Sequence, residues 1–276
     1  MKWGRFLLLA GFSVSLLACT PVQTTRPGAV GVTRTQYMLV SEREAEQASA
    51  QQYLQIKRQA QVKGQLNQDA ALLQRVRAIT NRLIPQTVHF RADALNWKWE
   101  VNVQKSDEIN AWCMPGGKIM VYSGLVDKLH LTDDELAAVL GHEIAHALRE
   151  HSREKMSRAY AQNLGVSVLS AVTGLGRAGA DLMNTAANIA IQLPNSREDE
   201  QEADYIGLEL AARAGYDPRA ALTLWDKMAA SGNKGPVEFL STHPSDAHRR
   251  QGIEARLPSV IPLYEAARAA EKGQHG

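Results

Sequence analysis

The stretch His142-Glu143-Ile144-Ala145-His146 restricts what this chain can fold into more than any other feature. On an α-helix, residues four apart lie about 40° apart around the axis, so His142 and His146 can share one metal ion. Glu143 lies on the flank of that face, where its carboxylate reaches an activated water without competing for the metal. A solvated surface helix would carry the same five residues without needing any particular surroundings, but the flanking sequence argues against it. Thr132-Asp133-Asp134-Glu135 fits a capping box, with the Thr132 hydroxyl accepting from the Glu135 amide and the Glu135 carboxylate reaching back. Leu136, Leu140, Ile144 and Ala147 then recur at helical spacing as an apolar stripe on the side away from the imidazoles.

A catalytic zinc takes three protein ligands and keeps one position for water. The pattern HExxHxxGxxH would need Gly at 149 and His at 152, where Arg149 and Ser152 stand. His151 falls about 180° from His142 on a continuous helix and reads as a histidine of the last turn, favoured by the helix dipole. The best candidate for the third ligand is Glu200, in the segment Ser196-Arg197-Glu198-Asp199-Glu200-Gln201-Glu202-Ala203-Asp204. Ser196 reads as an N-cap with acidic residues in the first turn. Glu200 and Asp204 are four apart, and two carboxylates stacked this way repel unless a cation or an N–H donor separates them. Zinc for Glu200 and a ligand-histidine N–H for Asp204 would satisfy both. Glu202 points about 200° away from Glu200 and is expected in solvent.

Taken in order, HEIAH, the segment Glu200–Asp204 and a later Thr242-His243-Pro244 resemble the membrane-associated gluzincin metallopeptidases. That family includes the CAAX prenyl endopeptidases, the HtpX heat-shock protease and the mitochondrial overlapping-activity protease. Asn110–Gly117 is similar to the family's NAxxxPGG hairpin, Lys118–Leu125 to the edge strand that follows it, and His243–Arg249 to its HPxxxxR segment. The resemblance covers roughly residues 40–255 and looks nearest to bacterial periplasmic lipoprotein proteases of the β-barrel-assembly-enhancing kind. It implies one Zn2+ per subunit, held by His142, His146 and Glu200, with Glu143 as general base and acid. It also implies that His243 and Arg249 polarise the scissile carbonyl and stabilise its oxyanion. His243 would instead latch the enzyme if its imidazole closed the open zinc position. Met120, Val121 and Tyr122 are expected to bind extended substrate through backbone hydrogen bonds. Gly116 and Gly117 would shape the turn and allow close backbone approach, a role that a purely structural hairpin explains almost as well. His89, His130, His248 and His275 have no motif support.

Lys2 and Arg5 precede the apolar run 6–17, which is too short for the ~20 residues a bilayer needs and reads as a signal peptide. Leu16-Leu17-Ala18-Cys19 resembles a lipobox, implying cleavage before Cys19, its lipidation and, with Thr20 following, outer-membrane sorting. Cleavage takes Lys2 and Arg5 from the 31 basic residues and none of the 29 acidic ones, leaving no net formal charge. Nucleic acid is therefore excluded as a partner on electrostatic grounds. Cys113 has no disulfide partner if Cys19 is lipidated, and reads as a buried thiol.

The expected organisation is a leader over 1–18, a lipidated N-terminus and tether over 19–40, a metallopeptidase domain over 41–258, and a C-terminal helix and tail over 259–276. The Thr-, Pro- and Gly-rich residues 20–36 would reach roughly 20–25 Å if flexible. Helices are expected over 41–63 and 72–83, and strands over 97–103 and 118–122. Residues 161–193, rich in small and apolar residues, fit packed helices, a lid over the cleft or a membrane contact. The fold class is α+β: a predominantly helical, zincin-like domain whose small sheet has an edge strand bordering the active-site cleft. The expected function is zinc-dependent cleavage of unfolded or misassembled envelope proteins, with the lipid bilayer and the outer-membrane assembly machinery as further partners. The alternative is a proteolytically latent periplasmic scaffold or holdase.

Overall fold

Four of the described helices begin at a residue whose side chain closes the first turn, as the sequence at each start dictates. Ser41 caps helix α1 (Glu42–Val62) in a capping box with Glu44, and Asp69 caps α2 (Ala70–Leu83). The expected box at Thr132 opens α4 (Asp133–Leu148), and Ser196 opens α6 (Arg197–Arg213) in a box with Asp199. The computed structural model describes residues 20–173, 194–232, 238–244 and 247–274. The leader, Cys19, His275 and the 174–193 part of the small-residue segment lie outside the described residues.

Strands β1 (Thr20–Val22) and β2 (Gln36–Met38) form an antiparallel pair. Strands β3 (Glu100–Gln104), β4 (Ala111–Met114) and β5 (Lys118–Tyr122) form a second sheet in the order β3-β5-β4. Two short 3-10 helices, Ile84–His89 and Ala92–Asn96, precede that sheet, so its first strand starts three residues later than the alternation at Trp97 suggests. Helices α3 (Ser123–Leu129), α5 (His151–Thr173), α7 (Ala220–Gly232), α8 (Glu238–Thr242) and α9 (Ala247–Gln274) complete the described elements. None of the described helices is long and apolar enough to cross a membrane.

The sheet corrects one expectation. Met120, Val121 and Tyr122 do not form an edge: β5 is central, pairing parallel to β3 and antiparallel to β4, with Met120 opposite both Asn102 and Trp112. Its backbone groups are committed on both sides, so it has none to offer a peptide. Side chains alternate across it as a strand requires. Ile119 and Val121 join the main core, whereas Met120 packs with Tyr53 of α1 and Met114. The edge strand that borders the cleft is β4. Between the two strands Gly116 (φ 77°) follows Pro115 as the second corner of a type II turn, closed by Gly117 N–H donating to Met114 O at 3.1 Å. Gly117 (φ 78°) is packed so closely on Trp99 that a Cβ there would lie 2.6 Å from the indole. Both glycines serve the hairpin and do not line the cleft.

Two further expectations fail in instructive ways. Residues 20–36 are not a free tether: Val30 and Val32 are buried in the main core, and Gln36 is fully buried. Arg26 N–H donates to Phe90 O at 2.8 Å, and Ala29 N–H to the Glu209 carboxylate at 2.7 Å. Composition suggested flexibility, but fixed polar partners on the body hold the segment as a strap. Residue 258 is likewise no boundary, because α9 runs through it with Pro258 and Pro262 inside. Burial of Ile253 and Val260 holds this helix to the body despite the two missing N–H groups.

Candidate metal centre

Helix α4 carries His142, Glu143 and His146, and α6 carries Glu200 and Asp204. The helices meet where each has a glycine: a Cβ on Gly207 would lie 2.6 Å from the His142 amide nitrogen, and one on Gly141 2.8 Å from Gly207 O. Glycine costs a helix interior roughly 0.5–1 kcal/mol relative to alanine. Here it lets two backbones touch and brings the carboxylates of one helix onto the imidazoles of the other. From Val139 to Leu148 every residue of helix α4 is buried, with His142, Glu143 and His146 only 4, 2 and 6% exposed.

One donor atom each from His142, His146, Glu200 and His243 lies within 4.8 Å of the others. The His142 and His146 Nε2 atoms are 3.0 Å apart, and Glu200 places its carboxylate oxygens 3.4 and 3.3 Å from them. Bonds of 2.0–2.2 Å in a tetrahedral site require donor separations of roughly 3.3–3.6 Å; the two Glu200 separations meet this and the imidazole pair falls slightly short, so the side chains converge closely enough to hold a small metal ion. His243 Nδ1 lies 3.3 Å from His142 Nε2 and 3.0 Å from Glu200 Oε1, at a fourth vertex. Glu143 stays outside the cluster. Its Oε1 is buried without a hydrogen-bond partner among the described residues, 3.5 Å from His243 Nε2.

Asp204 Oδ1 approaches His142 Nδ1 at 3.0 Å, an approach too far off line for a well-formed hydrogen bond. Burial disfavours a charged His142, but Asp204 and Glu200 outweigh it and raise the imidazole to about 9. Burial holds His146 well below the usual histidine range, and burial raises the Glu143 carboxyl. Glu200 is held well below the usual carboxylate range, because His243 and His146 overcome its burial.

Arg249 does not face the cleft as an oxyanion donor would. Its guanidinium is buried behind the two acids, donating to both Asp204 oxygens at 2.7 and 2.6 Å and to Pro244 O at 3.1 Å. It also pairs with Glu200 at 2.7 Å and stacks over Trp225 at 4.0 Å. The cleft beside Glu143, His146 and His243 is lined instead by β4, Ser152, Lys155, Asn195 and Thr242. Asn195 Nδ2 donates to Glu200 Oε1 at 2.6 Å, and burial lowers the Lys155 ammonium to about 8. Neither residue carries a motif signal. Cys113 is a buried free thiol on the same strand, pushed well up by burial.

His151 and Glu202 also differ from expectation. Glu150 has φ 53°, which breaks the helix after Arg149, so His151 opens α5 and folds back on His146. Counting 100° per residue from His142 loses its meaning across that break. Glu202 does point away from Glu200, but it is 7% exposed, enclosed by Arg34, Arg149 and His151.

Two histidines on one helix, an acid from a second helix and a glutamate beside them define a zincin-like metallopeptidase. This chain belongs to peptidase family M48, whose description matches residues 70–257. It is 43% identical over 165 residues to the mitochondrial metalloendopeptidase OMA1 of Schizosaccharomyces pombe, covering 59% of this chain and 48% of that protein. The corresponding protein of Arabidopsis thaliana is 38% identical over 180 residues, 64% of this chain and 36% of the relative. Metalloprotease LoiP of Escherichia coli is 33% identical over 158 residues, 56% of this chain and 61% of the relative. The chain thus spans from about a third to three fifths of these relatives' lengths.

Proposed function

We propose that this protein is a zinc-dependent endopeptidase of the bacterial cell envelope that cleaves unfolded or misassembled envelope proteins. The observation that carries this reading is Glu143, buried beside three converged ligand side chains with an Oε1 that has no hydrogen-bond partner among the described residues. Zinc held by His142, His146 and Glu200 would supply Lewis acidity toward a carbonyl and lower the pKa of a water. Glu143 takes the water's proton on its carboxylate and delivers it to the leaving amine, a task suited by a carboxyl raised by burial. His243 donates to the developing oxyanion, the part of the expected His243–Arg249 pair that lines the cleft. The β4 edge receives extended substrate by backbone hydrogen bonds, so the cleaved segment must be unfolded. The leader and the lipobox at Cys19 support an envelope lipoprotein, facing the periplasm from an outer membrane, with the bilayer and assembly machinery as partners.

The test compares the protein with Glu143→Gln on an unfolded substrate, with metal content measured in both. Loss of turnover with zinc retained is the expected result; unchanged turnover overturns the reading. A second reading, a latent scaffold or holdase, is favoured by His243 Nδ1 standing 3.0 Å from Glu200 Oε1, where it closes the site. In the same assay His243→Ala lowers cleavage if the imidazole serves the transition state and raises it if the imidazole is a latch.

A further inference from the structure

The proposed mechanism does not use a largely buried polar chain that runs away from the cluster behind His146. The His146 and His151 Nδ1 atoms are 2.8 Å apart. On its other side His151 Nε2 lies 3.1 Å from Glu202 Oε2. Arg149 grips Glu202 with two nitrogens, at 2.9 Å to Oε2 and 3.1 Å to Oε1. Arg34, from the N-terminal strap, does the same at 3.0 Å to each oxygen. Arg34 also donates to Glu154 at 2.8 and 3.0 Å and to Asp199 at 2.8 Å. Arg149 is fully buried, and its Nη2 donates to Arg34 O at 2.9 Å.

The ring chemistry gives this chain a direction. His146 turns Nε2 toward the cluster, so a neutral, ligating imidazole must carry its proton on Nδ1. The atom facing that proton is His151 Nδ1, which must then be the acceptor. His151 therefore carries its own proton on Nε2, where Glu202 Oε2 receives it. Carboxylates commonly hold metal-bound histidines directly; here a second histidine stands between carboxylate and ligand. Two arginines, one from each side, keep that carboxylate from rotating.

We propose that His151 and Glu202 form a positioning relay that sets the tautomer and orientation of His146, with Arg34 of the N-terminal strap and Arg149 as its fixed end. The proposal rests on His146 being a metal ligand. It makes the strap part of the metal centre's support.

Three substitutions at one position separate the links. His151→Asn keeps an acceptor near the place of Nδ1 but does not reach Glu202. His151→Gln keeps a donor near the place of Nε2 and loses the acceptor for His146. His151→Phe keeps the ring and loses both. Zinc affinity of the metal-free full-length proteins is measured by competition with a chelating dye, and ligand geometry by the visible absorption of the cobalt-substituted forms. The expected result is a roughly 10–100-fold loss of affinity in the Phe and Gln forms, a smaller loss in the Asn form, and a shifted cobalt spectrum in the Gln form alone of the two amides. Equal affinity and spectra in the Asn and Gln forms overturn the relay, even if the Phe form does not fold. His146→Ala is the control: if it binds zinc as tightly as the unaltered protein, the metal-ligand reading fails. Loss of zinc in that control with an indifferent His151 series sinks the relay alone.

Discussion

Gly207 and His142 are in backbone contact: a methyl group on Gly207 would sit 2.6 Å from the His142 amide nitrogen. That single approach sets the distance between the two ligand-bearing helices, and with it the separation of Glu200 from both imidazoles.

Gly207→Ala should therefore act at the metal centre without altering any ligand. The added methyl meets backbone on α4, not a flexible side chain, so the helices must separate. Overpacking of this kind costs about 1–3 kcal/mol, and a Glu200 carboxylate moved outward should weaken metal binding. A thermal melt and a zinc titration check both effects. Normal affinity together with a normal melting temperature would show that the crossing adjusts without moving Glu200.

Arg249→Ala should destabilise the fold and lower metal affinity together. The substitution leaves Asp204 buried without the two guanidinium donors and takes from Glu200 its contact with the same guanidinium. Removing one partner of a buried pair costs about 3–5 kcal/mol. An oxyanion role predicts the opposite pattern, a fall in turnover with zinc content and melting temperature intact. Arg249→Lys should fall between, since an ammonium cannot reproduce the two-point contact with Asp204.

Glu202 makes stability depend on acid. Burial would raise its carboxyl, but His151 and Arg34 outweigh that and hold it at about 2, against an ordinary value of 4.5. A folded pKa below the unfolded one contributes stability that is fully present above 4.5 and is lost as pH falls toward about 2. Denaturant midpoints measured between pH 6 and pH 2.5 should decline, and the decline should be shallower in Glu202→Gln. Parallel curves for the two proteins would assign the acid sensitivity to other carboxylates.

Much of the site was legible because its spacing is local. His142 and His146 share a face by helix geometry alone, and Thr132 and Ser196 announce the starts of both ligand helices. Glu200 was reached by asking what could separate two carboxylates four apart, and it does converge with the histidines. Where the reading failed, a non-local partner intervened. Periodicity identified β5 as a strand but could not tell a central strand from an edge, because that depends on which strands flank it. Arg249 matched a motif whose spacing carries no direction, and the buried acids of α6 turned it inward. The glycines at 141 and 207 were a readable hint, since helix interiors disfavour glycine unless something comes close.

Read along the chain alone, this protein already shows two imidazoles and a glutamate on one helix, an acid pair on another, and the caps that start both helices. These follow from contacts within a few residues, which the order of side chains specifies directly. Tertiary structure alone decided that β4 is the open edge, that residues 20–36 strap onto the body, and that His151 turns back on His146 after the break at Glu150. The first two depend on groups far apart in the chain, and the third on Glu202, 51 residues further on, holding His151 in place; all meet in a low-dielectric interior, where an unpaired donor or charge is too costly to leave alone.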